Sequence, residues 1–151
     1  MNKSVYLAGP ITALSYADST CWRLQARTAL SALGIDSLDP LRGKTFLAHK
    51  QAGEIEKAAA MQGLTPRQIV TRDLNDIRQC DLLLANLMDV KKNGSVMMGT
   101  PMEMFFAAHD LDKPVVAVAN DYTGPWLEHF CIRVVPDLDT AYHVIRQYFG
   151  V

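Results

Sequence analysis

The segment GTPME, residues 99–103, combines a helix-start signal with a carboxylate. Thr100 is typical of an N-cap residue and Pro101 of a first helical residue, so the pattern predicts a helix with Glu103 in its first turn. Exposed backbone amides in a first turn stabilise an anion. Two interpretations stay open: Glu103 only complements the helix dipole, as first-turn acids often do, or it is a nucleophile in a cleft. The apolar strand signal before it, the Gly- and Ser-containing loop and the flanking Met and Phe residues favour the second.

The segment RDLNDIRQCD, residues 72–81, places two acids three residues apart. On a helix this spacing puts Asp73 and Asp76 on one face. The pair is either part of a solvated face, with Arg72 and Arg78 as partners, or a pair of acids that serves a ligand.

Four further polar residues lie near the ends of predicted strands or in the loops that follow: Tyr6, Asn86, Asn120 and His129. A sugar or a base needs several such contacts, although each alone is also typical of an ordinary surface or core residue. Nucleophilic cleavage of a glycosidic bond requires a carboxylate beneath the anomeric carbon and a proton donor for the leaving group. Glu103 and the Asp73/Asp76 pair match these two requirements. The sequence contains no Ser-His-Asp order, P-loop, HExxH or GxGxxG pattern that would indicate another chemistry.

The elements that position these residues follow from the apolar pattern. Apolar runs predict strands at 4–8, 35–38, 82–87, 114–119 and 133–135. Helical spacing and start signals predict helices at 18–33, 54–61, 66–77, 101–108 and 137–149. This alternation predicts an α/β domain with a doubly wound, mostly parallel five-stranded sheet and helices on both faces. Ligands of such sheets bind at the carboxyl ends of the strands, where residues 9–10, 86–99 and 120–125 are expected.

Composition restricts the function further. The chain of 151 residues has the size of one domain, spanning residues 1–151, and is 49% apolar and 21% charged with a net charge of −1. With this charge and no long basic stripe, the composition gives no support for binding duplex nucleic acid through counterion release. The three cysteines, Cys21, Cys80 and Cys131, are far apart and predict free thiols rather than a zinc site or disulfides. Without an apolar run of about 20 residues or room for a signal peptide, we expect a cytoplasmic protein that is not bound in a membrane. The carboxylate chemistry expected of Glu103 and the Asp73/Asp76 pair requires no metal or organic cofactor.

Four stretches resemble the nucleoside 2-deoxyribosyltransferase family: YLAGP (6–10), IVTRDLNDIRQCDLLLANL (69–87), GTPMEMFFAAHDLDKPVVAV (99–118) and residues 120–129. The resemblance implies a flavodoxin-like fold and a deoxyribosyl-enzyme ester on Glu103. It implies that Asp73 handles the base and that Tyr6 lies near the nucleophile. It also implies a homo-oligomer, a dimer or larger, in which a neighbouring subunit completes the site.

One position departs from the family pattern. Six residues before the nucleophile the family usually has Asp, which helps to hold the ligand, or Ser, which contacts phosphate in the related nucleoside-monophosphate N-glycosidases. This chain has Met97 there and Ser95 two residues earlier. Ser95, with Lys91, Lys92 and Arg42, fits either a 5′-phosphate site or a solvated basic loop, so the acceptor and the phosphorylation state of the substrate stay open.

The leading hypothesis is transfer of 2-deoxyribose from a nucleoside or nucleotide to a free nucleobase. Glu103 attacks C1′, Asp73 with Asp76 manages the proton on the base, and Tyr6 orients Glu103 or the sugar. The expected substrate contacts are Gly9, Pro10, Arg42, Asn86, Ser95, Gly99, Thr100, Asn120 and His129. The alternatives are a hydrolase of nucleoside 5′-monophosphates and a nucleotide-binding sensor without turnover. Met97 and the long segment 41–65, which we expect to form a lid over the base, favour the sensor. The intact set of acids argues against it, because binding alone does not need Glu103.

Overall fold

A computed structural model of the chain describes residues 2–11, 14–51, 54–88, 98–120 and 124–151. Five parallel strands form one sheet: β1 (Ser4–Ala8), β2 (Asp36–Leu38), β3 (Leu82–Asn86), β4 (Val115–Val118) and β5 (Arg133–Val135). Their order is β2-β1-β3-β4-β5, which is the flavodoxin-like order. The predicted fold class is therefore confirmed. After β1 the chain adds β2 at one edge of that strand and then adds β3 at the other edge. The topological switch point, where the strand order reverses, therefore lies between β1 and β3.

The helices are α1 (Tyr16–Ala32), α2 (Ile55–Met61), α3 (Pro66–Gln79), α4 (Gly99–Phe105), α5 (Pro125–Phe130) and α6 (Leu138–Phe149). A 3-10 turn, Thr45–Leu47, precedes α2, and a π-helical turn, Phe106–Asp110, continues α4. The sequence pattern predicts all of these helices except α5. Its six residues are too few to show a helical period, and the interpretation as a loop was wrong.

Alternation along β1 decides which side chains face which helices. Val5 and Leu7 pack in the core layer that contains Trp22 of α1 and residues of α6. Tyr6 and Ala8 point to the other face, into the layer that contains Ile77 of α3 and Met104 of α4. The helices that carry the candidate acids therefore cover the same face of the sheet as Tyr6.

The starts of α3 and α4 differ. Thr65 caps α3 through a capping box with Gln68, as its sequence predicts. The predicted N-cap role of Thr100 is wrong, because α4 already begins at Gly99 and Thr100 is a buried residue inside the helix. Consequently Glu103 lies in the second turn of α4, beyond the free amides of the helix start.

The segment between β2 and α3 forms a small hydrophobic cluster of its own. Leu41, Leu47, Ile55 and Ala58 are buried together, and Ile11 and Tyr16 pack against them. These contacts attach the segment to the chain that leads into α1. Its predicted function as a lid stays a prediction.

Candidate active site

Tyr6 and Glu103 are joined directly across the face between β1 and α4. The Tyr6 hydroxyl donates a hydrogen bond of 2.8 Å to Oε1 of Glu103. Burial raises the pKa of Glu103 to about 7, the hydrogen bond from Tyr6 opposes this rise, and the charge of Asp73 adds to it. Burial also raises the pKa of Tyr6 far above its ordinary value, so its hydroxyl remains a donor. Burial therefore disfavours the ionised form of the Glu103 carboxylate, and the hydrogen bond from Tyr6 fixes its orientation.

Asp73 is the second acid of this cluster. Burial raises the pKa of Asp73 to about 6, although the charges of Lys44 and Arg72 lower it. Its Oδ1 atom is buried and has no hydrogen-bond partner among the residues that the structure describes. A buried carboxylate oxygen without a partner is unusual, and a ligand that binds beside it can supply the missing hydrogen bond.

Asp76, although one turn away, has a different environment. The Arg42 guanidinium binds both of its carboxylate oxygens, with 2.7 Å between Nη2 and Oδ1. Asp76 itself is buried, and Arg72 donates to the backbone carbonyl of Arg42 at 2.8 Å. The interpretation of Asp73 and Asp76 as a solvated face paired with Arg72 and Arg78 was therefore wrong for Asp76. Arg42, expected at a phosphate, has this carboxylate as its partner.

In the turn after β1, neighbouring residues lie very close to the backbone of Gly9. A Cβ atom on Gly9 would lie 2.7 Å from the Trp22 ring and 3.3 Å from the carbonyl oxygen of Asn86, so only glycine fits there. Pro10 is buried next to it. The side-chain oxygen of Asn86 accepts a hydrogen bond of 3.1 Å from the Met88 amide. Three of the expected substrate contacts, Gly9, Pro10 and Asn86, therefore lie in or against a tightly packed turn at the carboxyl ends of β1 and β3.

The remaining expected contacts are more scattered. Gly99 is exposed at the start of α4. Asn120 lies after β4 and lines a cavity of about 350 Å³ together with residues of α5 and β5. His129 is exposed on α5, where its ring packs roughly perpendicular to the ring of Phe130 at a centroid distance of 5.0 Å. Ser95, Lys91, Lys92 and Met97 lie outside the described residues.

Two cations of the site were missed by the sequence interpretation. Arg23 of α1 has no exposed surface, and its Nη2 donates to the Gly9 carbonyl at 2.9 Å. Lys44, which follows β2, is also buried, and burial lowers its pKa while the charge of Asp73 raises it. A signal for Arg23 existed in its spacing, because it lies four residues after Ser19 and three before Ala26 on the buried stripe of α1.

Two further observations concern metal binding and membrane-spanning helices. In the described part of the chain, no group of three or more His, Cys, Asp or Glu side chains could hold a metal ion. None of the helices described is both long enough and apolar enough to cross a membrane.

Comparison with known proteins identifies a family. The model of the family described as nucleoside 2-deoxyribosyltransferase matches residues 5–131. A search of curated proteins found no match to the chain.

Solved structures share the fold at low identity. A 2-deoxyribosyltransferase from Leishmania mexicana is 20% identical with a TM-score of 0.57, over 84% of this chain and 70% of that one. The 2-deoxyribosyltransferase of Bacillus psychrosaccharolyticus is 18% identical with a TM-score of 0.57, over 92% and 90%. A CMP N-glycosidase from Clostridium botulinum is 16% identical with a TM-score of 0.58, over 97% and 100%.

Proposed function

The chain belongs to the nucleoside 2-deoxyribosyltransferase family, and we propose that it transfers 2-deoxyribose between nucleobases through an ester on Glu103. The observation that carries this proposal is the hydrogen bond of 2.8 Å between Tyr6 and Glu103, in a partly buried cluster with Asp73. Family membership supports N-glycosidic chemistry on nucleosides and nucleobases. The cluster supports the assignment of the nucleophile.

The proposed reaction uses the two acids in opposite protonation states. Ionised Glu103 forms a bond from a carboxylate oxygen to C1′ as the bond from C1′ to the base nitrogen breaks. Protonated Asp73 donates its proton to the departing base, which leaves neutral. A second base then attacks C1′, returns its proton to Asp73 and regenerates the Glu103 carboxylate.

The pKa values of the two acids determine how often this division is populated. With values of about 7 for Glu103 and about 6 for Asp73, the pair shares one proton at a pH between these two values, and the proton lies more often on Glu103. The reactive arrangement, with the proton on Asp73, is therefore the minor form of this single-proton state. Tyr6, which donates only to Glu103, stabilises that arrangement. The reaction therefore needs no metal ion or organic cofactor in this proposal.

Asp76 has a supporting function in the proposal. The Arg42 guanidinium binds both carboxylate oxygens of Asp76, and this ion pair holds α3 against the turn after β2. It thereby positions Asp73, which lies one turn earlier on α3. The turn at Gly9 and Pro10 and the start of α4 at Gly99 and Thr100 are proposed to border the sugar.

Hydrolysis is the second candidate, and one observation favours it: the structural similarity to a CMP N-glycosidase over 97% of the chain. In this alternative, water replaces the second base and attacks the same ester. Incubation with a deoxynucleoside and a different free base separates the two reactions. Formation of the new nucleoside indicates transfer, whereas release of free sugar or sugar phosphate without exchange indicates hydrolysis.

Trapping the ester tests the assignment of Glu103. A 2-fluoro nucleoside analogue should add one fluorosugar mass to the intact protein, and peptide mapping should place it on Glu103. Glu103→Gln should abolish labelling. Glu128→Gln, which changes an exposed glutamate on α5, is the matched control and should label normally. Labelling at another residue would contradict the proposed nucleophile.

The same protein preparations test the sensor alternative. If the wild type binds a nucleoside or nucleotide tightly but exchanges no base and releases no sugar, the chain is a sensor. Under the enzyme proposal, Glu103→Ala loses turnover while ligand binding persists, since most contacts to the ligand remain.

We also propose that the chain self-associates through an exposed apolar patch. The patch consists of Met98, Met102, Phe105 and Trp126, which are 66%, 61%, 36% and 74% exposed. Phe130 links Phe105 and Trp126 by ring contacts at 5.5 and 5.9 Å. Contiguous exposed apolar surface of this kind is typical of an interface. Light scattering of wild type and Trp126→Asp should show a larger assembly for the wild type.

A further inference from the structure

Lys44 is a buried lysine in the turn that follows β2, and only 7% of its surface is exposed. Its backbone is held on both sides, because its amide donates to the Leu41 carbonyl at 3.1 Å and its carbonyl accepts from the Leu47 amide at 3.0 Å. Within the described residues, no hydrogen bond or ion pair joins its ammonium group to another residue. Lysine is rarely buried without a partner, so its retention at this position needs a reason.

Two contacts hold the turn that carries Lys44 against α3. The Arg42 guanidinium binds the Asp76 carboxylate, with 2.7 Å between Nη2 and Oδ1. The Arg72 guanidinium donates to the Arg42 carbonyl at 2.8 Å. Asp73 lies on α3 between these two points of attachment. The turn therefore crosses the helix at the level of Asp73, at the same edge of the sheet as the candidate active site.

Lys44 and Asp73 are neighbours that do not pair with each other. In the described residues no ion pair joins them, although each is buried and each has an unpaired group. The unpaired atom of Asp73 is Oδ1. Burial lowers the pKa of Lys44, and the charge of Asp73 acts against this shift, which agrees with their proximity. A ligand that lies beside both groups supplies the hydrogen bonds that each one lacks.

The chemistry of an ammonium group restricts what this ligand presents. Lysine offers three hydrogen-bond donors and no acceptor. A carbonyl oxygen accepts a charge-assisted hydrogen bond from it, whereas an amino group in the same place sets donor against donor. Nucleobases differ in this respect at one ring position. Hypoxanthine and uracil carry a carbonyl oxygen where adenine and cytosine carry an amino group.

We propose that Lys44 binds the nucleobase and selects bases with a carbonyl group over bases with an amino group at the same ring position. This inference rests on the proposed function, in which Asp73 is the acid beside the base. As the bond from C1′ to the base nitrogen breaks, its electron pair passes to the base, and part of the charge reaches the carbonyl oxygen. Lys44 stabilises that oxygen until Asp73 has donated its proton, so the selectivity extends to the cleavage step.

Calorimetry with free bases measures this selectivity without turnover. Hypoxanthine is compared with adenine, and uracil with cytosine. In the ring class that it binds more tightly, the wild type should favour the carbonyl-bearing base by about tenfold or more. Lys44→Met and Lys44→Gln should bind the two bases of that pair within about threefold of each other, whereas Lys44→Arg should keep the preference. Lys57→Met, at an exposed lysine on α2, is the matched control and should keep the wild-type ratio.

The ratio of affinities separates this role from a merely structural one, because a lysine that only held the turn would affect all four bases equally. A uniform loss of affinity in the neutral variants, an unchanged preference in them, or no preference in the wild type would overturn the proposal. Absence of binding of any of the four bases would overturn it as well. The wild-type measurement needs no variant to fold. Because free bases bind without reaction, a protein that shows the expected selectivity but exchanges no base refutes only the proposed function.

Discussion

The two halves of the sheet's carboxyl edge differ in charge and in packing. At β1 and β3 the edge carries Tyr6, Asp73 and Glu103, with the buried cation Arg23 behind them. At β4 and β5 it borders a cavity of about 350 Å³ whose lining is mostly apolar. Strand direction is the same throughout, so direction alone does not create a site. Among the residues that the structure describes, only the half beside the switch point concentrates buried ionisable groups.

This difference indicates where residues used for function lower the stability of the fold. Burial raises the pKa of Glu103 and Asp73 to about 7 and 6, which means that their charged forms are disfavoured. Evolution for stability alone would place apolar residues at such positions. Paired acids with raised pKa values in one cluster are typical of catalytic sites.

Replacement of Asp73 should produce the largest change that this comparison predicts. Asp73→Asn removes the proton donor to the base, so kcat should fall by about 10²–10⁴-fold, while the melting temperature should be no lower than that of wild type. Steady-state assays and a melting curve measure both. Asp110→Asn, at an exposed acid beyond α4, should keep wild-type activity. A full-activity Asp73→Asn would show that this half of the edge is not the catalytic one.

The sequence was sufficient to predict the fold and to bring Tyr6, Asp73 and Glu103 into one hypothesis. Strand alternation and helix starts are local properties, and they predict five parallel strands and most helices correctly. The difference between Asp73 and Asp76 could not be predicted, because it depends on Arg42, 34 residues from Asp76 along the chain. Arg23 was missed for the same reason, since its partner carbonyl at Gly9 belongs to another element.

A smaller effect is expected when the hydroxyl of Tyr6 is removed. Tyr6→Phe keeps the ring in the core but deletes the hydrogen bond to Glu103, so kcat/KM should fall by about 10–10²-fold near neutral pH. The pKa of Glu103 should rise above about 7, and the acid limb of the pH profile should follow it upward. The exposed Tyr148→Phe is the control. Equal activity of Tyr6→Phe and wild type at all pH values would separate Tyr6 from the nucleophile.

Replacement of Glu103 should raise the thermal stability of the protein at pH 8, whereas the two substitutions above lower its activity. Glutamate in an unfolded chain ionises near a pKa of about 4.3, whereas burial raises the folded value to about 7. Between these values the folded protein holds a proton that the unfolded chain has lost, so its stability falls as the pH rises. Glu103→Gln lacks this penalty and should melt roughly 3 °C or more above wild type at pH 8. The difference should nearly vanish below about pH 4.5.

The control for that comparison is Glu128→Gln, whose carboxylate is exposed on α5. It should show the same melting temperature as wild type at both pH values. If Glu103→Gln were less stable than wild type at pH 8, Glu103 would be a structural carboxylate, and the contrast between the two halves of the edge would lose its functional meaning.

The smallest effect is expected in the β4–β5 half. His129 is exposed and contacts Phe130, and in the described residues no hydrogen bond or ion pair joins it to the acids. His129→Ala should therefore leave kcat/KM within about threefold of wild type, a change of roughly 0.7 kcal/mol or less. A larger loss would mean that this half of the edge meets the substrate of a neighbouring subunit. Mixing His129→Ala with Glu103→Gln protomers would then restore activity, because one complete site can form across the contact.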